Sequence, residues 1–345
     1  MPEAAWSRYP LVASNEQGAS WLTLLENLGR SSATIDAYGR SLDQYLRFCQ
    51  DLGIDAAAAT LEHVSLFVRH LRGEPGTLLH PARPAVSNAT LQQRITAVRL
   101  WYDHLVYQDL RERNPIPRGR PLFANNREHN HSGFQHGLVR RLTLLPRIPT
   151  DTDWARVLAE AAGEGLRNRL MFALAYFGAL RREELVGLCV SDLDVARRLV
   201  TIRAETSKSS RSRVVCYAAP VTPSLAVYLE RRRGLDMRPG PMFLSESDRN
   251  SRQPLTKWSW SKIVERLARQ AGVAGFSTHT LRHLRLTHLA RSGWRLHDIA
   301  TYAGHRSVQT SMIYIHLSGD DLLAKMAQSI AHLDAKLGAC FLGAP

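Results

Sequence analysis

The sequence predicts a mainly helical protein with a small antiparallel β-sheet, organised as two domains. At 345 residues, the chain has about twice the length of a typical domain. Apolar side chains recur three or four residues apart through most of it, which is the spacing of amphipathic helices. One stretch, 198–218, instead places two β-rich segments on either side of a polar turn and predicts a hairpin. With 44% hydrophobic and 22% charged residues, the composition is globular and sufficient to bury real cores.

The first predicted domain, residues 19–115, is all helical and follows a loose leader at residues 1–18. Serine and threonine residues that can cap a helix precede its apolar stripes. The predicted helix starts are at Ser31-Ser32, Thr60 and Thr90. The third helix ends before Asn114-Pro115, because a residue that precedes proline disfavours the helical conformation.

A basic linker is predicted over residues 116–150, where arginine and proline are frequent. The second predicted domain follows at residues 151–320. Its predicted helices lie near 152–163, 166–179, 181–190, 223–233, 256–271, 278–293 and 296–303, with the hairpin between the third and fourth. A last amphipathic helix is predicted over 321–337, within a C-terminal segment at 321–345.

Positive charge is concentrated in one part of the chain. The net charge is +14, and residues 201–300 alone hold 18 basic and 7 acidic side chains. Forty of the 45 cations are arginine, which suits bidentate contact with phosphate. A concentrated basic surface favours polyanions through counterion release. The charge alone is equally compatible with an ordinary solvated surface.

The sequence disfavours a membrane-spanning protein and a protein stabilised by disulfides. The longest uncharged apolar run, Leu170 to Leu180, has 11 residues, whereas a membrane span needs about 17 or more. The four cysteines are scattered, with no CxxC pair, and this pattern is typical of reduced thiols in the cytoplasm. No metal is expected at His279, His283 and His288, because no carboxylate or cysteine completes a ligand set.

The spacing of one group of polar residues indicates a catalytic site. His279 and Arg282 are three residues apart on a predicted helix and therefore share a face. Gly304 closes the next helix, His305 follows it, and Tyr314 comes nine residues later. Three further polar residues precede this group in the chain: Arg181 and Glu184 at a predicted helix start, and Lys208 in the hairpin turn.

This pattern resembles that of the tyrosine recombinases, the phage integrase family. The family shows an Arg followed three residues later by a Glu, then a hairpin Lys, His-x-x-Arg, Gly-His and a Tyr about nine residues further on. All of these stand here in order, and the resemblance covers roughly residues 20–340. It implies a two-domain clamp around duplex DNA, made of a helical core-binding domain and an α+β catalytic domain.

The resemblance also implies a mechanism. Tyr314 would attack a DNA backbone phosphate, form a 3′-phosphotyrosyl bond and release a 5′ hydroxyl. Reversal reseals the strand, so neither ATP nor a metal or other cofactor is expected. Arg181 and Arg282 would neutralise the charge of the pentavalent transition state. His279 would be the base or hydrogen-bond partner of the tyrosine, and Lys208 would protonate the leaving oxygen.

The remaining site residues receive supporting roles. His305 would hold a phosphate oxygen, and Glu184 would support the arginines rather than carry a proton. Nearby cations are expected to lower the pKa of Tyr314 from about 10. The candidate DNA contacts outside this group are Arg211, Arg213, Lys257, Lys262 and Arg285.

The expected partners are double-stranded DNA carrying a specific site, and further copies of the chain. In the family, the C-terminal helix docks on a neighbouring subunit, which implies a homotetramer on synapsed DNA. The apolar seam of 321–337 is also compatible with packing within its own subunit. An accessory protein or a partner recombinase is a further possibility. Ala303, where the family commonly has Leu, and the long linker leave the subfamily open.

The function predicted is site-specific recombination, for integration, excision or transposition of a mobile element. A type IB topoisomerase shares the tyrosine chemistry, but the core-binding domain and the C-terminal helix weigh against it. A non-catalytic DNA-binding regulator on the same scaffold would be expected to lack catalytic residues. A two-metal nuclease needs clustered carboxylates, and residues 251–345 hold five acidic side chains.

Overall fold

A computed structural model of the chain describes residues 6–74, 85–117, 137–140, 142, 146–207, 211–237 and 239–314. The chain forms two compact units, Met1–Leu144 and Leu145–Pro345. Both are mainly helical, and the second also contains a small antiparallel sheet, which confirms the predicted fold class. Within the described ranges, no helix is long and apolar enough to cross a membrane.

The first unit packs helices around an aromatic-rich core. These helices are α1 Pro10–Ser14, α2 Glu16–Asn27, α3 Ser32–Asp51, α4 Leu61–Leu71 and α5 Asn88–Tyr107. Ser31 and Thr60 are the N-cap residues of α3 and α4, as predicted. Helix α5 begins earlier than predicted, because Ser87 caps it and its hydroxyl accepts the N–H of Thr90.

Residues expected outside this core are part of it. The prediction of a loose leader is wrong from Tyr9 onward. Tyr9 and Val12 are fully buried, and Asp43 accepts the Leu11 N–H at 2.8 Å. Helix α1 has five residues, which is too short for an apolar period to show. Part of the predicted linker also belongs here, because Val139 is buried and its carbonyl accepts from Gln92 Nε2 at 2.5 Å.

The second unit combines helices with one small sheet. Its helices are α6 Asp151–Ala162, α7 Leu166–Phe177, α8 Arg182–Val186, α9 Thr222–Leu235, α10 Lys257–Gln270, α11 Thr278–Arg291 and α12 Leu296–Ala303. The strands are β1 Leu193–Asp194, β2 Leu199–Ile202 and β3 Arg213–Cys216, in the order β1-β2-β3. A 3-10 helix, Val308–Tyr314, follows α12.

The predicted hairpin is the β2–β3 pair. It runs antiparallel from Leu199 opposite Cys216 to Ile202 opposite Arg213. Val200, Ile202 and Val215 point into the core, whereas Thr201 and Val214 are exposed, so the side chains alternate as they must in a strand. Strand β1 was not predicted because two residues cannot display that alternation.

Candidate active site

A polar cluster lies where several elements of the second unit meet. It is built by the N-terminus of α8, the start of β3, helix α11, the C-terminus of α12 and the 3-10 helix. The residues that form it are Arg181, Glu184, Arg213, Arg282, His283, His305 and Tyr314. Arg181, Glu184, Arg282, His305 and Tyr314 are among the residues singled out from the sequence, and the fold brings them together across more than 130 positions of the chain.

Glu184 is fully buried at the centre of this cluster. Its two carboxylate oxygens accept hydrogen bonds from Arg181 Nη1 at 2.8 Å, and from Arg213 Nη1 and Nη2 at 2.9 and 2.7 Å. The backbone N–H of Arg181 donates to it as well, at 2.8 Å. Burial alone would raise the pKa of Glu184, but these donors and the two positive charges outweigh it and lower the pKa to about 2. The carboxylate is therefore ionised at neutral pH and orients both guanidinium groups.

Arg282 is almost completely buried, and it joins two helix ends. Its Nη1 donates to the carbonyl of Ala179, just after α7, and its Nη2 donates to the carbonyl of Ala303, at the end of α12, both at 2.6 Å. Arg181 Nη2 donates to the next carbonyl, that of Gly304, at 3.3 Å. Burial, and then the charge of Arg181, lower the pKa of Arg282 from its ordinary value. The two guanidinium groups are thus fixed to one framework of backbone carbonyls.

Gly304 makes the turn that this framework requires. It ends α12 in the left-handed conformation, with φ of 64°, which glycine adopts without the steric penalty of other residues. A Cβ at this position would lie 3.0 Å from Cδ of Arg213 and 3.1 Å from its Nη1. Both the left-handed backbone conformation and the close approach of Arg213 therefore disfavour a larger residue at this position.

Replacing Gly304 with alanine is expected to lower stability and activity together. The left-handed conformation should cost about 1 kcal/mol, and the contact with buried Arg213 should add to this, because the guanidinium cannot move without leaving Glu184. Gly293→Ala is the matched control, since Gly293 also has a positive φ of 83° but nothing within 4 Å of its Cβ position. Thermal unfolding of both variants checks the prediction, and equal losses of stability would contradict the proposed steric contact.

Tyr314 ends the 3-10 helix and is buried, with 2% of its surface exposed. Its hydroxyl is hydrogen-bonded to Nδ1 of His283 at 2.9 Å, and its ring stacks parallel to that of His305, with centroids 6.2 Å apart. Burial raises the pKa of Tyr314, and the charges of Arg282 and Arg181 only partly offset it. The expectation of a lowered pKa is therefore wrong for the chain by itself, because loss of hydration outweighs the cations.

His305 lies immediately after the Gly304 turn. Its Nδ1 is 2.6 Å from the hydroxyl of Ser311, which is fully buried. Burial, followed by the charges of Arg282 and Arg181, lowers the pKa of His305 to about 3. The imidazole is therefore neutral at physiological pH, in a position next to the tyrosine ring.

One predicted catalytic residue lies at the edge of this cluster, and another lies outside the described residues. His279 is exposed one turn before His283 on α11, with the two rings perpendicular and their centroids 5.2 Å apart. Lys208 lies outside the described residues, so its predicted role remains a prediction. His283 was not assigned a role from the sequence, although its place directly after Arg282 and one turn after His279 was a usable signal.

The predicted DNA contacts fall into two groups. Arg211 and Lys262 are exposed. Lys257 Nζ lies 4.0 Å from Glu183 and 5.9 Å from the ring centroid of Trp258, which is 65% exposed. Arg211 and Lys262 are therefore available to an external polyanion, whereas Lys257 is partly exposed beside Glu183.

The other two candidates are used inside the protein. The prediction that Arg213 contacts DNA is wrong, because Arg213 is buried. It donates to Glu184 and, through Nε, to the carbonyl of Tyr302 at 2.9 Å. Arg285 is half-buried, and its guanidinium lies over the rings of Tyr176 and Phe177, 5.5 Å from each centroid. Among the described residues, no group of three or more His, Cys, Asp or Glu side chains is arranged to hold a metal ion.

Comparison with known proteins identifies the class. The model of the phage integrase family matches residues 150–320, and that of the phage integrase N-terminal SAM-like domain matches residues 20–109. Tyrosine recombinase XerD of Mycobacterium tuberculosis is 30% identical over 301 residues, which are 83% of this chain and 88% of the relative. Tyrosine recombinase XerC of Pelobacter propionicus is 28% identical over 296 residues, 85% of this chain and 87% of the relative. The chain therefore belongs to the phage integrase family of tyrosine recombinases, as its motifs predicted.

Solved structures show the same fold. A Tn1549 transposon integrase in complex with transposon right end DNA is similar with a TM-score of 0.63, at 16% identity over 89% of this chain and 97% of that one. XerH site-specific recombinase bound to palindromic difH substrate, a post-cleavage complex, gives 0.62 at 19% identity over 85% of this chain and 79% of that one.

Proposed function

We propose that the protein is a site-specific recombinase that cleaves and rejoins DNA through a 3′-phosphotyrosyl bond at Tyr314. The main support is that the buried hydroxyl of Tyr314 lies in one polar cluster with Arg181 and Arg282. The positive charges of these two arginines favour the ionised tyrosine. Membership of the tyrosine recombinases supports this reading. The expected biological role is integration, excision or transposition of a mobile element, on DNA in the cytoplasm.

In the proposed reaction, the Tyr314 oxygen attacks the phosphorus and the bond to the 5′ oxygen breaks. Negative charge grows on the non-bridging oxygens, where the guanidinium groups of Arg181 and Arg282 stabilise it. The proposed role of His305, which is neutral and next to the tyrosine ring, is to donate a hydrogen bond to the same phosphate. Lys208 is the proposed donor of the proton that the leaving 5′ oxygen takes up. Attack by another 5′ hydroxyl reverses each step, so neither ATP nor a metal ion is needed.

Duplex DNA is the proposed partner. The solved Tn1549 integrase is in complex with transposon right end DNA, and the solved XerH recombinase is bound to its difH substrate. The second unit of this chain carries exposed cations at Arg211 and Lys262. Arg182 and Lys257 flank exposed Trp258 at the start of α10, with the Arg182 guanidinium 5.4 Å from the ring centroid. An aromatic side chain between cations suits contact with the sugar-phosphate backbone and base edges.

Lys262→Ala is expected to weaken DNA binding uniformly and to reduce the slope of log K against log salt by about 1. Arg266→Ala removes a charge from the same helix and serves as the control, because Arg266 is already paired with Glu164 at 2.8 Å. Fluorescence anisotropy across a salt series measures both slopes. Equal slopes for Lys262→Ala and the wild type would remove this residue from the DNA interface.

A homotetramer on synapsed DNA is proposed for the active assembly, held by the helix predicted over 321–337, which lies outside the described residues. Deleting 321–345 should then leave DNA binding intact and prevent tetramer formation. Mass photometry of the complex checks this, and an unchanged tetramer mass would refute the role of the helix.

Strand exchange tests the proposed function and separates its rivals. Two duplexes of different length, both carrying DNA that flanks the protein's own locus, are incubated with the protein in EDTA without ATP. Products of recombinant length are expected. Relaxation of supercoiled plasmid by monomers without exchange would favour a type IB topoisomerase. Binding to the flanking DNA without any strand breakage would favour a regulator or a missing partner recombinase.

A further inference from the structure

The nucleophile of the proposed reaction is held by a histidine that the His-x-x-Arg pattern does not include. Nδ1 of His283 lies 2.9 Å from the Tyr314 hydroxyl, and the two ring centroids are 5.7 Å apart. The tyrosine is buried at 2% exposure and His283 is half-buried beside it. His279, to which the sequence assigned this contact, is exposed on the preceding turn of α11.

The surroundings of His283 keep its imidazole neutral. Burial, then His279 and Arg282 on its own helix, lower the pKa of His283 to about 4. From the other packed elements, His305 and the Tyr314 hydroxyl face it. A neutral imidazole has one nitrogen that accepts a hydrogen bond, so at neutral pH Nδ1 can accept the tyrosine proton.

We propose that His283 is the general base of the cleavage step, and this inference rests on the proposed recombinase function. As the Tyr314 oxygen forms its bond to phosphorus, its proton passes to Nδ1 of His283, which becomes an imidazolium. The broken P–O bond leaves its electron pair on the 5′ oxygen, which takes a proton from a separate donor. In the rejoining step, the imidazolium returns its proton to the tyrosine oxygen.

DNA binding would make this base stronger. A phosphodiester beside Arg181 and Arg282 brings a negative charge next to His283, and an opposite charge favours the protonated imidazole. Without DNA, Tyr314 is therefore neutral and His283 is a weak base. The negative charge of the bound phosphate favours transfer of the tyrosine proton to His283. This arrangement restricts activation of the nucleophile to the DNA-bound site.

Helix α11 offers a matched control for this pair. Nδ1 of His288 lies 2.6 Å from the hydroxyl of Tyr176, so a second histidine on the same helix makes the same kind of bond to a different tyrosine. His283→Asn and His288→Asn each remove one imidazole while leaving an amide that can form a hydrogen bond. The two variants therefore separate the loss of a base from the loss of a structural contact.

The experiment measures single-turnover formation of the protein–DNA adduct between about pH 6 and 9, on the flanking duplex nicked beside the cleaved phosphate. His283→Asn is expected to be at least about a hundredfold slower. Its rate should rise by up to about tenfold per pH unit, because hydroxide must remove the tyrosine proton. The wild type and His288→Asn should show similar rates with little dependence on pH over the same range.

Two results would overturn the inference. One is a His283→Asn rate and pH profile like those of the wild type, and the other is the same loss in His279→Asn but not in His283→Asn. Failure of the proposed function is seen separately, as no adduct with the wild type or an adduct that persists in Tyr314→Phe. Circular dichroism melting of each variant confirms that the folded protein is being compared.

Discussion

Arg282→Ala is expected to slow adduct formation by about a thousandfold, because it removes a preorganised donor from the charge that develops on the phosphate. The same change leaves the carbonyls of Ala179 and Ala303 without the donor that both now bind at 2.6 Å. Buried carbonyls that lose a partner cost about 1–3 kcal/mol each, so the free energy of unfolding should fall as well. Single-turnover adduct formation and thermal unfolding measure the two effects.

The matched variants for Arg282 separate chemistry from stability. Arg282→Lys keeps the charge but cannot bridge both carbonyls in the guanidinium geometry, so part of the rate should remain. Arg291→Ala removes one positive charge from an exposed position near the end of the same helix and should leave both quantities close to those of the wild type. A full cleavage rate in folded Arg282→Ala would remove this residue from the transition state.

Glu184→Ala is expected to lower the free energy of unfolding by about 3–5 kcal/mol, because it leaves Arg213 and Arg181 as buried cations without their counterion. Activity should fall too, since Arg181 loses the carboxylate that orients it at 2.8 Å. The neighbouring Glu183→Gln is the control: its side chain is 52% exposed, and surface pairs contribute about 1 kcal/mol or less. Chemical denaturation of both variants measures the difference.

The pH dependence gives an independent check on Glu184. Its folded-state pKa of about 2 lies below the ordinary value of 4.5. Its contribution is therefore fully present above about pH 4.5 and is lost as the pH falls towards 2, with a total of roughly 3 kcal/mol. Stability measured from pH 5 to pH 2.5 should decline more steeply in the wild type than in Glu184→Gln. Parallel curves would show that the buried carboxylate is not the group that titrates.

The structure brings Arg181, Glu184, Arg282, His305 and Tyr314 together because a few rigid elements carry them. Arg181 and Tyr314 are more than 130 residues apart in the chain, with Arg282 between them. The helix starts and the Gly304 turn that place these residues are nevertheless local features of the sequence. The predicted Leu296–Ala303 helix has the same bounds in the structure. Most other helices with clear caps and apolar stripes were likewise located to within a few residues, but helix α2 was not predicted, although Asn15 caps it.

The features that sequence reasoning missed depend on burial and on contacts between distant residues. Arg213 looked like a surface cation because its partner, Glu184, is 29 positions away. The raised pKa of Tyr314 follows from loss of hydration, which no spacing reveals. Helix α1 and strand β1 are too short to show a period. His283 needed the distance from its Nδ1 to the tyrosine hydroxyl, and the sequence cannot supply that distance.

Covalent trapping shows directly whether Tyr314 forms a bond to DNA. The protein is incubated with its flanking DNA in EDTA and quenched with SDS, with Tyr314→Phe in parallel, and peptides linked to DNA are mapped by mass spectrometry. We expect an adduct through the 3′ phosphate at Tyr314 in the wild type and none in the variant. An adduct at another residue, or strand breaks with no covalent protein, would contradict phosphotyrosyl chemistry at this site.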